Sequence, residues 1–361
     1  MMKTKFTAWV LLIVLAIVLP VVPGCNSQTQ EPKNTDMTLG TPEAKVTGEE
    51  RQTPPNSLPA PKAGEIAEGR VERQKPEHPL ISCLYFDEAS FRNAVSSASV
   101  FEADIHGLKA GIVPHHLLAS TMIASFWKTA SQQKYDLVVI IGPDHFRKGR
   151  TAISTLDSGF STILGDVYTD SKLVNALVQQ NFASVQPEVM ESDHTISSHI
   201  PFISYYMPDT PILPLLVKGN CDAGKTEALS NWLLETVKDK KVLFVASMDF
   251  SHYLPLEVAN EKDEYTEKAL RGFDYEKIAQ MTNDHLDSKP SALFLLKTMS
   301  NMDAKEIQKW DHSNSDIISK ANTGYTTSYF LFGFFADAQN EQIQTSGRGF
   351  RAFDKLTIPL L

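Results

Sequence analysis

The chain has 361 residues, with 43 acidic against 34 basic side chains and a formal net charge of −9. That balance, with no basic stripe, excludes nucleic acid as a main partner. Three cysteines without CxxC or Cys/His zinc spacing exclude a structural zinc site, and the lack of a glycine-rich phosphate loop excludes the nucleotide-binding classes.

In chain order, residues 1–25 read MMKTKFTAWVLLIVLAIVLPVVPGC. Two lysines precede an apolar run and a small residue precedes Cys25, the layout of a secretory signal. The run is shorter than the roughly 20 residues a spanning helix needs. Val22-Pro23-Gly24-Cys25 resembles a bacterial lipobox, which implies a lipidated Cys25 and an extracytoplasmic protein held at the membrane by that lipid. Residues 26–78 are rich in Pro, Thr, Glu, Lys and Gln and poor in large apolar residues, so they are expected to form a disordered tether. Residues 79–361 then carry the folded domain. Cys83 and Cys221 lie within it and are free to pair in an oxidising compartment, although spacing alone does not place them together.

The folded part alternates strands and helices. Strands are expected at 111–116, 135–142, 210–217, 240–250 and 323–336, and helices at 117–130, 171–181, 225–239 and 291–302. Several of the strands are continuous apolar runs, which suits strands buried on both faces. The pattern predicts a three-layer α/β/α domain with a largely parallel or mixed central sheet.

The polar residues cluster at strand ends. His115 and His116 follow GIVP, Asp144 and His145 follow VVIIGP, and Asp249 and His252 follow LFVASM. Binding sites of open α/β sheets form at the carboxyl ends of strands, so three histidines in equivalent places point to one shared site. SDHTISSHIPF (192–202) adds Asp193, His194 and His199, with Ser192 or Asp193 suited to cap a short helix. His194 and His199 are about 140° apart on such a helix, so at least one is expected to act structurally or to orient a neighbour. Ser251 stands beside His252, but without a G-x-S-x-G elbow a serine hydrolase is disfavoured.

GIVPHH, VVIIGPDHF, DHTISSHIPFI and FVASMDFSHY, in this order, resemble the Memo-like proteins, which include the AmmeMemoRadiSam system protein B group. The resemblance runs from about residue 105 to 335. It implies the fold of class III extradiol dioxygenases, which are non-haem iron enzymes, without implying their activity. It places site histidines at His115, His145 and His252, with Asp249 beside the last. Where the family typically has a cysteine, the matching stretch LDSKPSALFLL (286–296) has Asp287, and a thiolate nucleophile is therefore in doubt. His115, His145 and Asp287 make a two-histidine, one-carboxylate set suited to a divalent metal, iron(II) first, with manganese or zinc also compatible. The alternative for Asp287 is a helix N-cap, and His285 is a weaker substitute ligand.

With a metal in place, His252 is expected to be the general acid/base, with Asp249 orienting its ring or turning back onto local backbone. His116, Asp144, His194 and His199 are expected as orienting partners behind the ligands, and Tyr325 and Tyr329 as pocket walls or packing. The implied function is a metal-dependent enzyme, dioxygenase-like or hydrolytic. The alternative is a binding or metal-carrying lipoprotein using the same cleft for a small molecule or peptide.

Overall fold

A computed structural model describes residues 78–103 and 105–336, which fall within one compact unit, Pro61–Leu361. The expected signal, Cys25 with its expected lipid, nearly all of the expected tether and the last 25 residues lie outside the described residues.

Eight strands form the large sheet: β1 (Leu108–Val113), β2 (Leu137–Pro143), β3 (Ile153–Thr155), β4 (Ser184–Val185), β5 (Ile212–Val217), β6 (Val242–Ser247), β7 (Glu306–Asn314) and β8 (Ser328–Phe335). Their order is β7-β8-β1-β6-β2-β5-β3-β4. The central β1, β6, β2 and β5 are parallel, whereas β8 runs antiparallel to β1 and β3 antiparallel to β5. The sheet is thus mixed with a parallel centre. A separate three-stranded sheet pairs Ile81–Ser82, Gly159–Ser161 and Val167–Tyr168 in that order.

Alternation along each strand feeds two separate cores. Leu137, Val139 and Ile141 point to one face, where they meet α3 (Ser171–Gln179), α7 (Ala223–Thr236), the C-terminal part of α8 (Leu256–Arg271), α9 (Tyr275–Gln280) and α10 (Lys289–Asn301). Val138 and Ile140 point to the other, against α1 (Glu88–Ser97), α2 (Ser120–Ala130) and the helices α4 (Pro187–Ser192), α5 (His194–Ser197) and α6 (Ile200–Tyr206). This is the expected α/β/α arrangement. Among the described residues no helix is long and apolar enough to cross a membrane.

Several elements depart from the expectations, α1, α9, β3 and β4 among them. The long helix α8 and the edge strand β7 were not expected from the apolar pattern. Cys83 and Cys221 are both free; the Cys83 thiol donates to the Ser197 carbonyl (3.1 Å), and burial pushes its pKa up to about 12.

Candidate metal centre

The carboxyl ends of β1, β2 and β6 open into a cleft of about 600 Å³ lined by His115, His145, His194, Asp249, His252 and Asp287, among others. Because β1 and β2 both flank β6, the loops leaving all three converge. Two further elements join them. Asp193 caps α5 by accepting from the Thr195 N–H, which sets His194 at the start of that helix and turns it inward. Asp287 is clamped to the end of β6 by a reciprocal pair: its N–H donates to the Asp249 carbonyl (3.1 Å), and its Oδ2 accepts from the Asp249 N–H (3.2 Å).

His115, His145 and His194 form the cluster best placed to hold a metal ion, with one ligand nitrogen from each lying within 4.8 Å of the others. The His145 and His194 rings stack at 4.3 Å, and His115 meets His145 edge-on at 4.8 Å. Asp287 Oδ2 lies 3.2 Å from His115 Nε2 and 3.8 Å from His145 Nε2, and Asp249 Oδ2 lies 3.5 Å from His115 Nε2. His194, expected as an orienting partner, thus lies close enough to His115 and His145 to be a third candidate ligand.

Proton accounting fixes which ring nitrogens are free. The Trp127 indole N–H donates to His199 Nδ1 (3.1 Å), so His199 carries its proton on Nε2 and donates it to Ser247 Oγ (3.0 Å). The Ser247 hydroxyl spends its own proton on the Thr195 carbonyl (2.8 Å). Its remaining lone pair accepts from His115 Nδ1 (3.2 Å). His115 is therefore the Nδ1–H tautomer, with the Nε2 lone pair facing the carboxylates. His145 is held in the same way: Nδ1 lies 3.0 Å from Asp193 Oδ1 and 2.9 Å from Thr195 Oγ1, and its N–H donates to Asp193 Oδ2 (2.9 Å). Carboxylate or hydroxyl partners on the far nitrogen are the arrangement that prepares imidazoles for a metal.

Asp287 Oδ2 and Asp249 Oδ2 thus lie 3.2 and 3.5 Å from the His115 Nε2 lone pair, an arrangement that calls for a proton or a cation among them. Asp287 Oδ1 is buried with no hydrogen-bond partner among the described residues. The ionisation behaviour agrees. Burial, then the charges of neighbouring imidazoles, pushes His115 well below its ordinary value. Burial pushes Asp249 up to about 7, and burial with the nearby Asp249 charge raises Asp287 well above the usual carboxylate range. Burial opposes charge on His145, but the Asp193 bond and the charges of Asp287, Asp193 and Asp249 outweigh it and raise its pKa. The donor set of imidazole nitrogen and carboxylate oxygen fits a divalent metal.

The remaining residues fall as follows. Asp287 does not cap α10; Ser288 does, accepting from the Ser291 N–H. Asp249 Oδ1 accepts from the His115 N–H (3.1 Å), and no hydrogen bond joins Asp249 to His252. His252 lines the cleft with a buried Nδ1 lacking a partner among the described residues, and burial lowers its pKa. His116 Nδ1 bonds the Tyr329 hydroxyl (3.0 Å), and both line the cleft. Tyr325 lies on the rim, 61% exposed. Asp144 accepts from the Lys148 and Gly149 N–H groups, which closes the turn bearing His145. His199 is fully buried and reaches the cluster only through Ser247. His285 sits near Thr282, outside the cleft lining. Sequence reasoning missed Ser247, Thr195 and Trp127; a small polar residue ending a buried strand was the one available signal.

A family profile described as Memo-like protein matches residues 89–329. A MEMO1 family protein from Metallosphaera sedula is 26% identical over 180 residues, covering 48% of this chain and 64% of that protein. One from Pyrobaculum arsenaticum is 30% identical over 162 residues, covering 43% and 57%. The chain thus spans less than two thirds of the length of these curated relatives. The crystal structure of an uncharacterized protein from Escherichia coli K12 aligns with 14% identity and a TM-score of 0.42, over 63% of this chain and 99% of that one.

Proposed function

We propose that this chain, which belongs to the Memo-like family, is a metal-dependent enzyme that holds a divalent ion, iron(II) foremost, with His115, His145 and Asp287. The observation that carries this reading is that the oriented imidazoles of His115 and His145 place Nε2 3.2 and 3.8 Å from Asp287 Oδ2, while the buried Oδ1 of the same carboxyl has no hydrogen-bond partner among the described residues. A divalent ion held there would supply Lewis-acid or redox chemistry to a ligand bound in the cleft. The chain's own residues do the rest. Ser247 and Asp193 keep the two imidazoles in the tautomer that presents Nε2. Asp249 anchors the His115 backbone and the Asp287 turn. His252, neutral because burial lowers its pKa, takes a proton from a bound hydroxyl and returns it. Lipidation of Cys25 would hold this centre at the outer side of a membrane, where small solutes reach the cleft.

The position of His194 favours a second ligand set, three imidazoles, which suits a hydrolytic zinc centre. The two sets are separated by measuring metal content of the full-length chain, purified anaerobically and reconstituted with iron, manganese or zinc, beside Asp287→Ala and His194→Ala. Near-stoichiometric iron that is lost in Asp287→Ala and kept in His194→Ala is the expected result. Zinc lost only in His194→Ala would favour the three-imidazole set. No uptake of any of these metals would overturn the enzyme reading and leave the cleft as a binding pocket.

A further inference from the structure

The cleft's one permanent cation offers a handle on substrate class. Among the side chains lining the cleft, Arg147 alone is a guanidinium or ammonium. No carboxylate lies within 4.0 Å of it among the described residues, although the chain as a whole carries an excess of acid. The nearest candidate in sequence, Asp144, directs both carboxylate oxygens into its own turn, onto the Lys148 and Gly149 N–H groups. The neighbouring Lys148 is occupied elsewhere, over the Phe146 ring at 5.0 Å.

The backbone beneath Arg147 makes the same point. Its φ is 53°, in the left-handed region, and its N–H closes the turn onto the Asp144 carbonyl (3.2 Å). Glycine adopts that conformation without steric penalty, so the turn itself gives no reason for a long charged side chain. Across the cleft Tyr253 repeats the pattern: φ is 54°, the residue directly follows His252, and its side chain is 79% exposed. Of the seven non-glycine residues with positive φ among the described residues, these two line the cleft, and both sit within two residues of a site histidine. Strain of this kind concentrates where the side chain serves a ligand.

We propose that Arg147 is a specificity-determining residue that binds a carboxylate on the substrate. The substrate is then a small molecule with metal-binding oxygen donors at one end and a carboxylate at the other. It spans from the His115–His145–Asp287 centre to the Arg147 fork, which matches a planar carboxylate with two parallel N–H donors. Arg147 is fixed relative to that centre because it shares the Asp144–Gly149 turn with His145. This inference rests on the metal reading above.

The test uses the full-length chain after metal loading, with metal content measured on the same sample. Two probes are compared by calorimetry: the monohydroxamate of succinic acid and its terminal primary amide, which share a chelating head and differ only in the distal charge. The carboxylate probe is expected to bind at least tenfold tighter than the amide. That preference should vanish in Arg147→Gln and partly return in Arg147→Lys, with metal content unchanged in both. Equal binding of the two probes by the metal-loaded wild type, or a preference that survives Arg147→Gln, would overturn the assignment while leaving the metal reading intact. Failure to load metal would instead remove the metal reading, and this inference with it.

Discussion

Ser247→Ala is the most informative single change to the orienting network. Its hydroxyl accepts from His199 Nε2 and His115 Nδ1 and donates to the Thr195 carbonyl, and the residue is fully buried. Alanine leaves two imidazole N–H groups and a carbonyl without this partner, at about 1–3 kcal/mol for each buried unsatisfied group. The floor is therefore about 3 kcal/mol, a large part of the roughly 5–15 kcal/mol that holds a domain folded. Metal affinity should fall as well, by about 10–100-fold, because His115 is released from the tautomer that presents Nε2. Urea denaturation of the metal-free chain reads the first effect and competition with a chelating dye reads the second. Ser230→Ala is the control: its buried hydroxyl bonds Thr298 Oγ1 between α7 and α10, away from the cleft (2.8 Å), so it should cost stability alone. Unchanged metal affinity in Ser247→Ala, with stability lowered as expected, would refute the tautomer reasoning.

Three other perturbations test neighbouring links. Asp193→Asn keeps the cap shape of α5 but removes the charge that raises the His145 pKa, so metal affinity should drop about tenfold with a smaller loss of stability, read by the same dye and urea assays. Gly142→Ala puts a methyl group 2.1 Å from Thr195 Cγ2 and 2.7 Å from the Ser247 carbonyl oxygen, so a backbone shift is forced; about 1–3 kcal/mol of destabilisation and weakened metal binding are expected together. His199 is neutral when folded because burial lowers its pKa to about 3, whereas in the unfolded chain it titrates near 6.5. The unfolded state thus binds the extra proton below pH 6.5, and stability is lost as pH falls from there toward 3, at about 1.4 kcal/mol per pH unit. His199→Gln should lack that slope, so the difference between wild type and variant from pH 6 to pH 4 isolates it; parallel curves would count against a neutral buried His199.

The parallel centre of the sheet was legible because β2, β5 and β6 are uninterrupted apolar runs buried on both faces. The helix α8 was not. Its buried residues are Ala259, Asp263, Thr266, Ala269 and, at the end, Leu270, and Asp263 is satisfied by Ser251 Oγ (2.6 Å) and His312 Nε2 (3.0 Å) rather than by apolar contact. A helix packed through alanines and a polar network has no apolar stripe to read. Strand β7 is hidden for another reason: it is an edge strand, only two of its nine residues are buried, and a register shift between Lys309 and Asp311 breaks the alternation. The strands of the small sheet are two or three residues long, and Ile81 finds its partner at Phe160, a pairing that only tertiary structure supplies.

The site divides along the same line. Residues that face the cleft were visible as polar breaks at the ends of apolar runs, whereas the residues that orient them lie inside elements whose composition reads as core. Ser247 ends the run VLFVAS, and Trp127 sits in an apolar helix. Their role follows only from where their protons go. That accounting also bears on the substitution that sets this chain apart in the family resemblance. A thiolate at position 287 would bring its charge and softness without needing a second carboxylate; Asp287 brings a hard oxygen donor beside Asp249. Two buried carboxyls held 3.2 and 3.5 Å from an imidazole lone pair stay protonated or meet a cation. The raised carboxyl pKa values and the lowered pKa of His115 share burial as their largest cause, and a divalent ion among these groups would bring both carboxyl values down while keeping His115 neutral.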